Sequence, residues 1–497
     1  MQVILAGFNL DHEVISDLRR NDPDAATLTP ETISAAYARI SRNPLPVNEL
    51  RRIARKEVDA ARQSNRNIVF EMGHSSVAEH AVFNIDVIGV SRLLVEEVEK
   101  FRLCSYTEKS QRYVLLKDDF VVPEEIRRSG LEESFVDTVR LQNSFYHELY
   151  EALKVYVFEK NRDLASDPAN HSTLEGWAKE DARYVISLAT ETQLGMTLNA
   201  RNLELMLRRL AAHPLEEARE YGRRLFDSVK DVAPSLVRYT EATAFDSRTR
   251  TLLREKAQGF VEKWGKKKWE DKGTRVLAKR GNVSLVYATP DADERTVAGL
   301  LHSSSGLPME RCMVIASLME REEKEEMIGA ACRYMEAYDA PLREFEYADL
   351  YFELVVSAAC FAQLKRHRMA TVVAQDYDPG LGVVIPQSVQ AVNMEGPFRR
   401  VIARTEETYE KVRKVDPVAA AYILTNAHQK RVILKVNARE FYHMVRLRAD
   451  RHAQWDIRDT VERMLSLGRR VMPLTLMLAT GKDGFPALYR KCFPHNP

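Results

Sequence analysis

The chain has 497 residues, enough for two or three domains with cores of their own. Its 45% hydrophobic and 29% charged residues are those of a soluble globular protein, and a net charge of +1 gives no bulk field toward nucleic acid or a membrane surface. No apolar run reaches the length of a membrane span, the opening from Met1 to Phe8 is too short for a signal peptide, and five scattered cysteines without C-x-x-C spacing point to reduced thiols in the cytoplasm.

The predicted elements begin with a strand over Val3 to Ala6. A polar segment follows, Gly73-His74-Ser75-Ser76-Val77-Ala78-Glu79-His80. Next come Lys100-Phe101-Arg102 and, in the same run, Ser105, Glu108, Ser110 and Arg112. Arginine forks bind phosphate oxygens in pairs and serine hydroxyls add short donors, so Arg112 beside Ser110 suits a nucleotide monophosphate. Cys104 lies inside this run and reads as a small buried residue, since nothing beside it in sequence would clearly lower its pKa. Ala182-Arg183-Tyr184 and Asn199-Ala200-Arg201 come late in the first half. The stretch 246–282 is dense in charges of both signs and poor in apolar periodicity, which predicts a solvated connector.

A second series starts with a strand over Val283 to Ala288. The run Ser357 to Arg368 has no Gly or Pro and predicts a helix, with Gln363 on the face of Arg366 and His367, and Arg368 next. Pro379, Gly380, Gly382 and Pro386 predict a loop. After Asn437, the segment 438–467 predicts another long helix carrying Arg439, His443 and Arg448, with His452 four residues beyond Arg448. His443, His452 and Asp456 make no full ligand set at metal spacing, so no metal site is expected.

The two series are one series written twice. Arg102 and Arg368 stand 266 residues apart, and at that spacing Ser91 meets Ser357. Asn199 and Asn437 stand 238 apart, so the first half carries extra residues, expected between about 115 and 175. The expected organisation is an α/β (α+β) chain of two tandem domains, 1–245 and 283–497, joined by the connector 246–282.

Superposed, the two motif runs compose the signature R-H-R-x-x-S-x-x-x-x-S-x-R, and the chain resembles the flavin-dependent thymidylate synthases (ThyX). Gly73 to His80 is similar to that family's G-H-x-S-x-x-E-H segment. Asn437 to Arg458, including His452-Ala453-Gln454-Trp455, is similar to its closing N-x-R…R-x-x-x-H-A-Q-W-E-I-R segment. The resemblance implies reductive methylation of dUMP to dTMP, with FAD as cofactor, methylenetetrahydrofolate as carbon donor and NADPH as reductant. It implies that Ser110, Arg112, Arg183 and Glu108, with Gln363 and Arg366, hold the nucleotide. It gives FAD binding to His74, Ser76, Glu79, His80, Arg366, His367, Arg368, Asn437, Arg439 and His443. Arg448 would be catalytic, stabilising the ionised uracil in the dUMP site. The two ThyX-like halves would form a pseudo-dimer, and a homodimer of chains would act as a pseudo-tetramer. The partners implied are a small nucleotide and a folate, with neither nucleic acid nor membrane.

Each copy has lost a different part of the motif. The first has Lys100-Phe101 for Arg-His, and Glu97 for the glutamine. The second has Ala374, Asp376 and Asp378 for Glu108, Ser110 and Arg112, and Ala421 for Arg183. At fixed spacing it also has Ala340 for His74 and Phe345-Glu346 for Glu79-His80. Sorted in this way, the losses leave one composite site per pair of halves, as selection on a single retained site would. Two other readings keep parts of this chemistry: flavin-dependent modification of another pyrimidine nucleotide or RNA base, and a retired nucleotide-binding or scaffold paralogue.

Overall fold

The computed structural model describes residues 1–10, 29–33, 47–66, 75–238, 240–264 and 277–494. The chain divides into two compact units, one of residues 1–268 with 396–424, the other of residues 269–395 with 425–497. Each is built on an antiparallel sheet. In the first unit β1 (Gln2–Phe8), β2 (Val82–Ser91), β3 (Ser105–Glu108) and β4 (Glu191–Asn199) lie in the order β1-β2-β4-β3. In the second, β5 (Ala278–Arg280), β6 (Val283–Ala288), β7 (Asp349–Ser357), β8 (Thr371–Ala374) and β9 (Gln429–Asn437) lie in the order β5-β6-β7-β9-β8. Without β5 the two orders are the same, so the repeat seen in the sequence is a repeat of topology.

Alternation explains the cores. Leu350, Phe352, Leu354 and Val356 of β7 and Val432, Leu434 and Val436 of β9 are buried, one face of a pleated sheet. Helices carrying Phe441, Val445, Val461 and Met464 complete that cluster. In β2, Phe83, Ile85 and Val87 are buried, and then the parity changes so that Val90 is buried.

The change of parity has a cause. β2 pairs with β4 from Val82 opposite Asn199 to Ile88 opposite Gln193, then slips, so that Val90 faces Thr192. The extra residue is Gly89, at φ +75°, where an added Cβ would lie 3.2 Å from the backbone nitrogen of Met1. β7 pairs with β9 from Asp349 opposite Asn437 to Ser357 opposite Gln429 with no slip. The spacing between copies is therefore one residue greater before the bulge than after it. This corrects the fixed-spacing expectation: Glu79 meets Glu346, not Phe345, and His80 meets Tyr347. The ion pairs agree, since Arg201 pairs with Glu79 and Arg439 with Glu346.

The strand-to-helix junction is also built twice. Ser91 caps α1 (Arg92–Val98), accepting from Leu94 N at 3.0 Å, and its hydroxyl donates to Glu217 at 2.6 Å. Ser357 caps α6 (Ala358–Leu364), accepting from Cys360 N at 3.0 Å, and donates to the buried Asp456. The remaining helices of the first unit include α2 (Glu132–Lys160), α3 (His171–Ala182), α4 (Ala200–Ala211) and α5 (Glu216–Val229). By chain position α2 has 29 residues where the second copy has the 19-residue helix Glu395–Arg413. That difference and α3 account for extra residues near the expected stretch.

Residues 396–424 belong to the first unit although they come from the second copy of the sequence. Gln142 on α2 donates to Thr405 Oγ1 at 2.8 Å and to the Ile423 carbonyl at 3.0 Å, and Thr138 and Thr408 share a 2.8 Å hydroxyl contact. Tyr422 donates to Glu217 at 2.7 Å. In the connector, the helix Ala244–Trp264 has no buried residue. No described helix is long and apolar enough to cross a membrane.

Ser357→Ala should remove both the cap of α6 and the hydroxyl donor to Asp456, at a cost of about 2 kcal/mol. Urea unfolding of this variant should show a lower midpoint, and Ser91→Ala should show a similar loss. An unchanged midpoint in both would contradict the structural role of the junction.

Candidate active site

In the first unit the predicted nucleotide residues gather around buried ion pairs. Arg92 at the start of α1 pairs with Glu108 at the end of β3, both buried, and Thr192 donates to the same Glu108 oxygen at 3.3 Å. Burial alone lowers the pKa of Arg92, but Glu108, then Glu96 and Glu99, carry it above the ordinary value. Arg112 Nε donates to Glu180 on α3 at 2.7 Å. Arg183, buried just after α3, has its pKa lowered by burial against the opposing pull of Glu180, and both Arg112 and Arg92 lie near enough to repel it. Ser110 and Arg183 line one recess together with Gln111, Tyr146, Thr190 and Thr192.

The predicted flavin residues of this unit stand elsewhere on it. Ser76, Glu79 and His80 lie on a 3-10 turn, Ser75–His80, where Ser76 and His80 are exposed. Glu79 is engaged by Arg201, and the His80 carbonyl accepts from Asn9 Nδ2 at 2.9 Å. His74 lies outside the described residues. Cys104 and its counterpart Ala370 are both buried.

In the second unit the motif turns earlier than expected. α6 ends at Leu364, with Lys365 as its last cap, so Arg366, His367 and Arg368 lie on the turn leading to β8 rather than on the helix. Nothing in the local sequence breaks the helix. The break frees the His367 ring to enter the core, where it is 3% exposed, while Arg366 and Arg368 stay exposed. The long helix expected over 438–467 is also two helices, α7 (Ala438–Arg448) and α8 (Trp455–Val471). Gln454 caps α8 by accepting from Asp456 N at 3.1 Å, so Arg448 and His452 are not helical neighbours. Asn437 caps α7, accepting from Glu440 N at 2.9 Å.

This arrangement joins His367, His443 and Arg448 to a residue the sequence reading missed. Arg448 Nε donates to His367 Nε2 at 3.1 Å, and His367 Nδ1 faces Glu440 Oε1 at 3.4 Å. An imidazole that accepts at Nε2 is neutral and carries its proton on Nδ1, the nitrogen facing Glu440. Burial lowers the pKa of His367, opposed by Glu440 and reinforced by Arg448 and His443. The His443 ring meets that of His367 edge-on at 5.8 Å, and its pKa is also lowered by burial. Glu440 escaped notice because an acid in the first turn of a helix reads as an ordinary end-charge. Gln363, half-buried on α6, has an amide nitrogen with no hydrogen-bond partner among the described residues. Arg439 is tied to the Pro341 carbonyl at 2.8 Å and to Glu346.

Among the described residues one group could hold a metal ion, Asp450, His452 and Asp483. Asp450 already accepts the backbone N–H groups of His452 and Asp483, and Arg451 pairs with Asp483 at 2.8 Å, so both carboxylates are engaged within the chain.

The fold and these two clusters define a tandem-repeat protein of mixed helix and sheet, with an arginine-serine recess in one unit and an Arg-His-Glu chain in the other. The chain matches the Thy1 family model, thymidylate synthase complementing protein, over residues 25–235 and again over 284–474. It therefore belongs to that family, as a tandem two-copy ThyX member. A UPF0159 protein of Chlamydia muridarum is 25% identical over 410 residues, covering 77% of this chain and 74% of its own length. A flavin-dependent thymidylate synthase of Clostridium tetani is 30% identical over 219 residues, 43% of this chain and 83% of that enzyme. A Helicobacter pylori ThyX structure complexed with FAD and dUMP is 18% identical, covering 48% of this chain and 100% of that one, at a TM-score of 0.29, too low to carry a structural argument.

The His367 arrangement predicts a pH dependence. Its pKa in the folded chain lies below the unfolded value, so its contribution to stability is present above the unfolded pKa and is lost as pH falls through the folded one. Protonation also removes the acceptor for Arg448 and places a cation beside it. Between pH 8 and pH 5 the wild-type melting temperature should fall further than that of His367→Gln. Parallel curves would refute the assignment.

Proposed function

We propose that the chain is a flavin-dependent thymidylate synthase-like enzyme that converts dUMP to dTMP, with FAD as cofactor, methylenetetrahydrofolate as carbon donor and NADPH as reductant. The observation that carries the reading is the Arg448 guanidinium, seated on neutral His367 in a chain of this family. A guanidinium held in place stabilises the anion of an ionised uracil without reorganising as charge develops.

The residues present suit FAD. Arg366 and Arg368 are exposed guanidinia on one turn, the chemistry a diphosphate needs. When bound, the flavin would supply the redox chemistry. Ser110, Arg112 and Arg183 would receive the nucleotide phosphate, with Glu108 holding the Arg92 beside them, and Gln363 and Arg366 would complete the nucleotide set. His74, Ser76, Glu79, His80, Asn437, Arg439 and His443 would complete the flavin set, without His367, whose buried ring is engaged at both nitrogens by Arg448 and Glu440. In this reading the repeats 1–245 and 283–497 contribute complementary parts of one site, an argument that rests on the sorted losses in the sequence.

A second reading keeps the family's chemistry with another pyrimidine nucleotide or a base in RNA as acceptor; in either reading an acceptor phosphate at Arg112 displaces the Glu180 carboxylate. A substrate panel of dUMP, UMP and uracil-containing RNA separates the two readings.

The purified chain should be yellow, absorbing at roughly 450 nm as an oxidised flavin does. It should release tritium from 5-labelled dUMP, and Arg448→Ala should lower the release on the order of a hundredfold or more while the flavin absorbance stays. A folded, flavin-loaded chain that releases no tritium would sink the synthase assignment, and a colourless one would favour the retired paralogue.

A further inference from the structure

We propose that Glu440 and His367 form a positioning pair for Arg448, fixing the imidazole tautomer whose Nε2 lone pair receives the arginine's Nε–H. The inference rests on the reading of Arg448 as the group that faces the base, and it adds Glu440, on which that reading is silent. Asn437 holds the first turn of α7, where Glu440 stands, and Arg448 ends the same helix. His367, from the turn after α6, bridges the two, with Glu440 3.4 Å from Nδ1 and Arg448 3.1 Å from Nε2. With its Nε committed, the guanidinium is held at its inner edge, which restricts where its terminal amino groups can point.

The chain contains its own control. Strand register equates β3 with β8 and β4 with β9, so the first-unit counterparts of His367, Glu440, His443 and Arg448 are Phe101, Asn202, Leu205 and Leu210. All four polar side chains change together, three of them to apolar ones. The first unit nevertheless folds α4 at the same place after the same asparagine cap, with Leu210 buried. The scaffold therefore has no structural need for the polar set. A buried imidazole between a carboxylate and a guanidinium carries a desolvation cost that a well-packed apolar set avoids. Its presence in one unit alone is explained by what it does for Arg448, not by what it does for the fold.

The test uses the full-length protein and has two arms. Imidazole nitrogen NMR of the ligand-free chain near neutral pH should show His367 neutral and protonated at Nδ1. In Glu440→Gln the tautomer population should move toward Nε2–H. A His367 protonated at Nε2 in the wild type, or a tautomer unmoved in the variant, would overturn the proposal. In tritium release, Glu440→Gln should lower kcat on the order of tenfold to a hundredfold, the range for a displaced catalytic group, with KM for dUMP changing less. In a His367→Gln background, where the amide oxygen offers an acceptor near the Nε2 position, Glu440→Gln should cost less than about twofold further. A full second loss would place the action of Glu440 elsewhere. If the wild-type chain shows no turnover, the synthase reading fails alone, and the tautomer measurement still decides the positioning pair.

Discussion

The structure depends on a buried serine hydroxyl at the end of each central strand. Ser91 and Ser357 are both fully buried, each accepts a backbone N–H of the helix it starts, and each donates to a carboxylate from the closing part of its own unit. Such a group must be satisfied on both sides, because an unpaired buried hydroxyl or carboxylate is costly. Glu217 shows the balance: it accepts from Ser91 N at 2.8 Å, Ser91 Oγ at 2.6 Å and Tyr422 at 2.7 Å, yet burial still raises its pKa. The junction sets where the motif helix begins, and so where every motif residue falls.

On that common frame the two units carry opposite contents. Arg92, Glu108 and Thr192 of the first unit correspond by register to Ala358, Ala374 and Lys430 of the second. Lys430 is buried there with its ammonium 4.1 Å from the centre of the Phe361 ring and 3.7 Å from that of Tyr377, a cation held by aromatic faces where the first unit holds one by a carboxylate. Conversely, His367, His443 and Arg448 of the second unit correspond to Phe101, Leu205 and Leu210 of the first. Each unit thus keeps one ionic cluster and has closed over the position of the other.

Much of this was legible in the sequence, for identifiable reasons. The strand over Val283–Ala288 has the bounds the apolar run predicts, and the paired serines and asparagine caps stand where the two spacings put them. Other features depend on partners far along the chain. The one-residue bulge at Gly89 is invisible to a fixed-spacing alignment, because a lone glycine in a strand pattern only hints at a slip. The end of α6 at Leu364 has no local breaker, and α1 ends at the equivalent Val98 although Phe101 and Asn202 stand there for His367 and Glu440, so the stop belongs to the shared fold and not to the motif residues. Glu180 as the partner of Arg112 comes from α3, an element the second copy lacks at that length. The placement of residues 396–424 in the first unit is likewise a packing outcome, made by Gln142, Thr138 and Tyr422.

The energetics of these clusters decide how the asymmetry should be understood. A buried ion pair such as Arg92–Glu108 contributes little net stability over a well-packed apolar pair, while breaking it leaves a stranded charge at about 3–5 kcal/mol. Drift through single substitutions therefore meets a barrier at each step, and a cluster leaves the chain cheaply only when all its members change together. The second unit shows such a completed exchange, with Ala358 and Ala374 in place of the pair. The first unit shows the other, with Phe101, Leu205 and Leu210 in place of the histidines and Arg448. If no site were under selection, the retained clusters would have no reason to be complementary between units. Two completed exchanges that never overlap are what selection on one retained set of each kind leaves behind. In the proposed reading the carboxylates that remain, Glu108 and Glu180, would do more than neutralise: they hold Arg92 and Arg112 in fixed orientations, so that an arriving phosphate would exchange one anion for another at Arg112 instead of ordering a mobile side chain.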